Sequence, residues 1–169
     1  MKRSPLVWTA VAVLAAALPP GARAAQRLVD VRQVASDTLH DVALAIYERG
    51  RPVIYYNPLL LQQVGPQLGD FFIAHEYGHI FYGHAGAALA EAGRDLGALR
   101  QRQELEADCY ATAALAPERR DAVEAALEFF RRMGPFRFDN LHPTGAQRAA
   151  KILSCLPDAE GRAAGSSAQ

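Results

Sequence analysis

An α+β fold, mostly helical, follows from three features of the sequence. Residues 42–56 alternate apolar and other side chains on either side of a turn. Residues 70–84 are apolar nearly all round. Later segments bounded by proline and glycine read as further helices. The chain has 169 residues, 50% hydrophobic and 21% charged, an ordinary globular ratio. That length allows one domain. Its 18 basic residues balance 18 acidic ones, which argues against a nucleic-acid binder. Two cysteines exclude a disulfide-dense scaffold and a four-cysteine zinc site.

The first residues read as an address. Lys2 and Arg3 precede an uncharged apolar run at 6–18, then Pro19-Pro20-Gly21 and the small-residue pattern Ala22-Arg23-Ala24. This predicts a signal peptide at 1–24 cleaved after Ala24, hence a periplasmic or secreted protein. The run rises about 20 Å as a helix, short of the ~30 Å membrane core, although an uncleaved anchor is the competing reading. Cleavage removes three positive charges and no negative ones, leaving 15 basic against 18 acidic residues. Outside the cytoplasm Cys109 and Cys155 either pair or stay as two buried thiols.

Within the expected domain, 25–156, Leu28, Val31, Val34, Ala35 and Leu39 recur at helical spacing and predict an amphipathic helix over 27–40. Val42, Leu44 and Ile46 then alternate, Glu48-Arg49-Gly50-Arg51 turns, and Val53, Ile54, Tyr55 and Tyr56 complete a hairpin. Asn57-Pro58 starts a short helix that Gly65-Pro66 ends. A buried helix spans 70–84. An Ala- and Gly-rich connector covers 85–97. A helix follows at 98–115, another from Pro117 to Met133, and a last one is opened by Pro143 after an irregular stretch at 134–142. Residues 157–169 read as a disordered tail.

The chemistry sits on two of these helices. His75-Glu76-Tyr77-Gly78-His79 places two imidazoles at i and i+4, on one helical face, where both can ligate one zinc ion. Glu76 is offset by about 100° around the axis, so it reaches a metal-activated water without ligating the metal. It is the only carboxylate between Phe71 and Tyr82. Core histidines satisfied by hydrogen bonds are the bland alternative. Glu104-Leu105-Glu106-Ala107-Asp108 repeats the i, i+4 spacing: Glu104 can supply the third metal bond and Asp108 can accept the N–H of a ligating histidine. Glu106 is expected in solvent, and His84 on the surface or behind the ligands.

The pair His75-Glu76-x-x-His79 and Glu104-x-x-x-Asp108 resembles the gluzincin metallopeptidases. It is most similar to the family of the heat-shock protease HtpX and the CAAX prenyl endopeptidases, whose later His-Pro and Arg are matched by His142-Pro143 and Arg148. The resemblance covers about 53–153 and implies a minimal zincin-like domain, with a small β-sheet packed on the two motif helices. It implies one Zn²⁺ held by His75, His79 and Glu104, with Glu76 as general base. His142 then serves as oxyanion donor, with Tyr82 and Tyr110 as weaker choices, or fills a fourth metal position in a latent state. Arg148 is expected to bond a carboxylate such as Asp108. The function expected is an exported zinc endopeptidase, its polypeptide substrate docked on the strand Val53, Ile54, Tyr55, Tyr56 if that strand is an open edge. The alternative is a catalytically silent zinc-binding or chaperone-like module.

Overall fold

The computed structural model describes residues 31–84 and 96–157. The expected signal peptide and nearly all of the connector and tail lie outside them. The fold is α+β: a three-stranded mixed sheet on a helical layer. Strands β1 (Arg32–Ala35), β2 (Ala43–Glu48) and β3 (Arg51–Tyr56) are followed by helices α1 (Pro58–Val64), α2 (Pro66–Tyr82), α3 (Leu96–Leu115), α4 (Arg120–Met133) and α5 (Gly145–Cys155). No described helix is long and apolar enough to cross a membrane.

The hairpin forms as expected. Arg49 and Gly50 both take positive φ, 50° and 78°, which matches the right-handed twist of the strands they join. The helix predicted over 27–40 is corrected where the chain is described: residues 32–35 are a strand, parallel to β3, with Arg32 opposite Val53 and Ala35 opposite Tyr56. Local spacing loses here to a tertiary demand. Strand β3 buries Pro52, Val53 and Ile54, so the backbone groups of both its edges must be paired. A hairpin alone is also marginal in water. Strand β3 is thus the middle strand in the order β1-β3-β2, and the expectation of residues 53–56 as an open docking edge is corrected.

Asn57 joins the sheet to the helices. Its Oδ1 accepts from the Leu59 and Leu60 amides, capping α1, while its Nδ2 donates to the Leu39 carbonyl and holds the 36–42 loop. Gly65 takes φ 84° and lets α2 begin directly at Pro66, four residues before the expected start. Pro117 falls in a turn and α4 starts at Arg120, whose neighbour Arg119 is ion-paired with Asp70 and Asp121. Likewise α5 starts at Gly145, after Pro143, because Thr144 and Gln147 form a reciprocal capping box.

Helix α2 is buried on two sides, as its composition requires. Ile80 packs with Ala43, Ala45 and Ile54 of the sheet. Leu68 and Phe71 pack with Ala111, Val123, Phe130 and Ile152 of the other helices. Cys109 of α3 is disulfide-bonded to Cys155 of α5, which decides between the two cysteine states. Gly78 sets the distance between α2 and α3: a Cβ there would stand 2.9 Å from Ala107 Cα and 3.1 Å from its carbonyl oxygen.

Gly78→Ala must therefore push the two helices apart. It is expected to cost about 1–3 kcal/mol, read as a fall in the denaturation midpoint. At Gly69 a Cβ meets chiefly the movable end of Leu61, at 3.1 Å, so Gly69→Ala is expected to be near neutral. Equal stability of the Gly78→Ala protein and wild type would contradict the close approach.

Candidate metal centre

Gly78 stands between His75 and His79, so the close helix approach brings the face of α3 carrying Glu104 and Asp108 against the two histidines. His75 Nε2 lies 3.0 Å from His79 Nε2 and 3.1 Å from Glu104 Oε2. His79 Nε2 lies 3.3 Å from Glu104 Oε1. These spacings are close to the ~3.3 Å edge of a tetrahedron with bonds of ~2.0 Å, the zinc geometry. Among the described residues this trio is the group able to hold a metal ion.

The chemistry of the donor set fits an ion as well. Asp108 is wholly buried. Burial raises its pKa, but the Arg148 guanidinium outweighs that and holds it well below the usual value. Arg148 Nε and Nη2 donate to the two carboxylate oxygens at 2.8 and 2.5 Å, as expected from sequence. Asp108 Oδ1 also lies 3.0 Å from His75 Nδ1. Arg148 Nη2 also lies 3.2 Å from His75 Nδ1, but it donates at shorter range to Asp108. An ionised carboxylate only accepts, so Asp108 favours a proton on Nδ1 and leaves Nε2 of a neutral ring with its lone pair. That lone pair faces the Glu104 carboxylate. Burial pushes Glu104 up, yet His75 and His79 outweigh it and hold it well below the usual carboxylate range. The cluster calls for positive charge. Burial alone would lower the His75 pKa, but the hydrogen bonds of Asp108 and Glu104 raise it to about 10.

Glu76 stands apart from the trio. Its carboxylate accepts from the Ala45 amide of β2 at 2.6 Å, and burial pushes its pKa up. A cleft of about 370 Å³ opens over these groups, lined by residues 40–45, the two histidines, Glu76, Glu104, Phe138 and His142 among others. His142 lies in the irregular stretch before α5. Asp139 Oδ1 accepts from its backbone amide at 2.9 Å and lies 2.8 Å from its Nδ1, while Nε2 is 3.9 Å from Glu104 Oε2. Tyr82 and Tyr110 do not line this cleft. Tyr82 stacks on His84, and Tyr110 packs on Phe81.

At the rim the structure chooses between the two places expected for His84: it is buried behind His79, its Nδ1 3.2 Å from His79 Nδ1. Glu106 is partly exposed, as expected, but its Oε2 also lies 3.0 Å from His84 Nε2. Burial, followed by the neighbouring His79, lowers the His84 pKa. Sequence reading missed the Ala45 amide, which has no side-chain signature, and Asp139, whose spacing to Leu141 and His142 is that of a turn-capping aspartate.

No protein-family model, curated protein or solved structure matches the chain.

Zinc entering this cluster at neutral pH must displace the His75 proton, because that group's raised pKa keeps it protonated there. Zinc titrations between pH 7 and 8 are expected to release about one proton per ion, with affinity rising as pH rises. Calorimetry in two buffers of different ionisation enthalpy reads that number. Zinc uptake independent of pH contradicts the cluster as the binding site.

Proposed function

We propose that the chain is a zinc-dependent endopeptidase, as its two motifs suggest by their similarity to gluzincins. The observation that carries this reading is Glu76: a buried carboxylate lining the same cleft as three metal-suited donors without belonging to them. His75, His79 and Glu104 would hold the zinc, which would supply Lewis acidity to a peptide carbonyl and make water there more acidic. Glu76 takes a proton from the attacking water and returns it to the leaving amine. Its upward-shifted pKa brings proton affinity nearer to the working range of a general base. The Ala45 N–H fixes one carboxylate oxygen and so aims the other.

His142 is proposed to steady the substrate oxygen. With Nδ1 beside Asp139, its Nε2 donates when the ring carries both protons. The extended substrate docks on β2, an edge strand whose residues 43–45 line the cleft, instead of on the central β3. Ala45 already turns its amide away from β3 towards Glu76, so the free edge of this strand borders the site. Leu44, Leu60, Phe72 and Phe138 give the cleft apolar surface, which favours substrates with a large apolar side chain near the scissile bond. The Cys109–Cys155 bond, stable in oxidising compartments, supports export, in agreement with the signal-peptide character of residues 1–24.

Glu76→Gln is expected to keep one zinc per chain and lose casein hydrolysis by about 10²-fold or more. Metal content and hydrolysis are read on the same purified samples. Retained hydrolysis contradicts the general-base role. A wild-type protein that binds zinc but cleaves neither casein nor a broad peptide set contradicts the endopeptidase reading and leaves the silent zinc-binding module.

A further inference from the structure

The two histidines of the trio are supported unequally at first sight. His75 has a buried carboxylate behind it, whereas His79 has another histidine. Helix α2 ends on Gly83 at φ 75°, and the Gly83 amide bonds back to the His79 and Ile80 carbonyls. This left-handed cap turns the chain sharply, so His84 folds back beneath His79. The two rings face each other through their Nδ1 atoms, 3.2 Å apart, with centroids at 5.3 Å. Tyr82 stacks on the other ring at an interplanar angle of 20°. His84 is 6% exposed and has little room to turn.

Two Nδ1 atoms in contact need one proton between them: one donates and the other accepts. The carboxylate beyond decides which. Glu106 Oε2, at 3.0 Å, accepts the His84 Nε2–H. A neutral His84 ring then has its lone pair on Nδ1. His79 must donate from Nδ1, and its own lone pair falls on Nε2, the atom 3.0 Å from His75 Nε2.

We propose that His84 and Glu106 form a relay that sets the tautomer of His79 and aims its Nε2 at the metal, as Asp108 does directly for His75. The inference rests on the metal reading of the trio. Both histidine ligands are then backed by carboxylates from α3, one in direct contact and one through an interposed ring. Glu106 and Asp108 are two residues apart on that helix, so their side chains leave it in different directions and reach different ligands. His84 and Glu106 are positioning residues, because neither touches the metal or the cleft contents. Such supports are typically worth 10–100-fold in metal affinity.

The test is zinc affinity of the full chain, by competition with a chromophoric chelator, for wild type, His84→Ala, His84→Asn, Glu106→Gln and Glu106→Ala. His84→Ala is expected to weaken zinc about 10–100-fold while the thermal midpoint of the chelator-treated protein stays near that of wild type. His84→Asn places an acceptor oxygen close to the lost Nδ1 and is expected to recover most of that loss. Glu106→Gln keeps an acceptor and stays near wild type, and Glu106→Ala falls between. His84→Ala binding zinc as tightly as wild type overturns the relay. So does a loss that Asn fails to recover and that tracks a fall in stability, the mark of a merely structural role. Nitrogen NMR of the histidine tautomers supplies a readout that needs no zinc. His79 protonated on Nδ1 with His84 protonated on Nε2 supports the relay, and the reverse overturns it. Wild-type protein that binds no zinc sinks the metal reading itself, a result distinct from failure of the relay alone.

Discussion

Asp108 carries a carboxylate with no exposure to solvent, and a buried charge of that kind is tolerable only when paired and hydrogen-bonded. Arg148 meets that need from α5 with two charge-assisted hydrogen bonds, and its guanidinium lies 4.0 Å above the Phe130 ring of α4. The remaining capacity of Asp108 goes to His75 of α2. One carboxylate thus binds three helices at a point, and the disulfide ties the next residue, Cys109, to the far end of α5. Removing either partner of such a pair leaves an uncompensated buried charge, which makes this contact the one the site least tolerates losing.

The close approach at Gly78 gives that contact its consequence. With α3 against α2, lone pairs from His75 and His79 and the Glu104 carboxylate converge within hydrogen-bonding distance of one another. Lone pairs brought together this way repel unless a proton or a metal ion lies among them, and the raised His75 pKa is the mark of that demand. The sheet contributes on the other side of α2. Its β2 amide at Ala45 holds Glu76 away from the trio, and Asn57 fixes the loop leading into β2 along the cleft. Metal donors and proton acceptor are therefore separated by the two layers of the fold: α3 serves the first and β2 the second.

Much of this was legible in the residues. The i, i+4 pairs of His75, His79 and Glu104, Asp108 need only helical geometry to share faces, and the apolar surroundings of both motifs announce burial. The hairpin follows from alternation around Arg49-Gly50, and the α1 cap from Asn57-Pro58. Arg148 as the partner of Asp108 came from the resemblance, since two residues 40 apart carry no local signal of contact. Strand β1 is not legible in the sequence, because Val31, Val34 and Ala35 satisfy a helical period while β3's need for a second partner is visible only in three dimensions. For the same reason β3 looked like an edge. The fold-back of His84 depends on the left-handed Gly83, and Gly83-His84 after a helical run is the trace it leaves in the sequence. The Ala45 amide leaves none.

The measurement that bears most directly on the convergence of His75, His79 and Glu104 is anomalous diffraction at the zinc edge from crystals of the zinc-loaded full chain. One peak per chain is expected, within about 2.0–2.2 Å of His75 Nε2, His79 Nε2 and a Glu104 oxygen. A peak elsewhere, for instance between His142 and Asp139, or no peak from protein loaded at saturating zinc, would contradict the account.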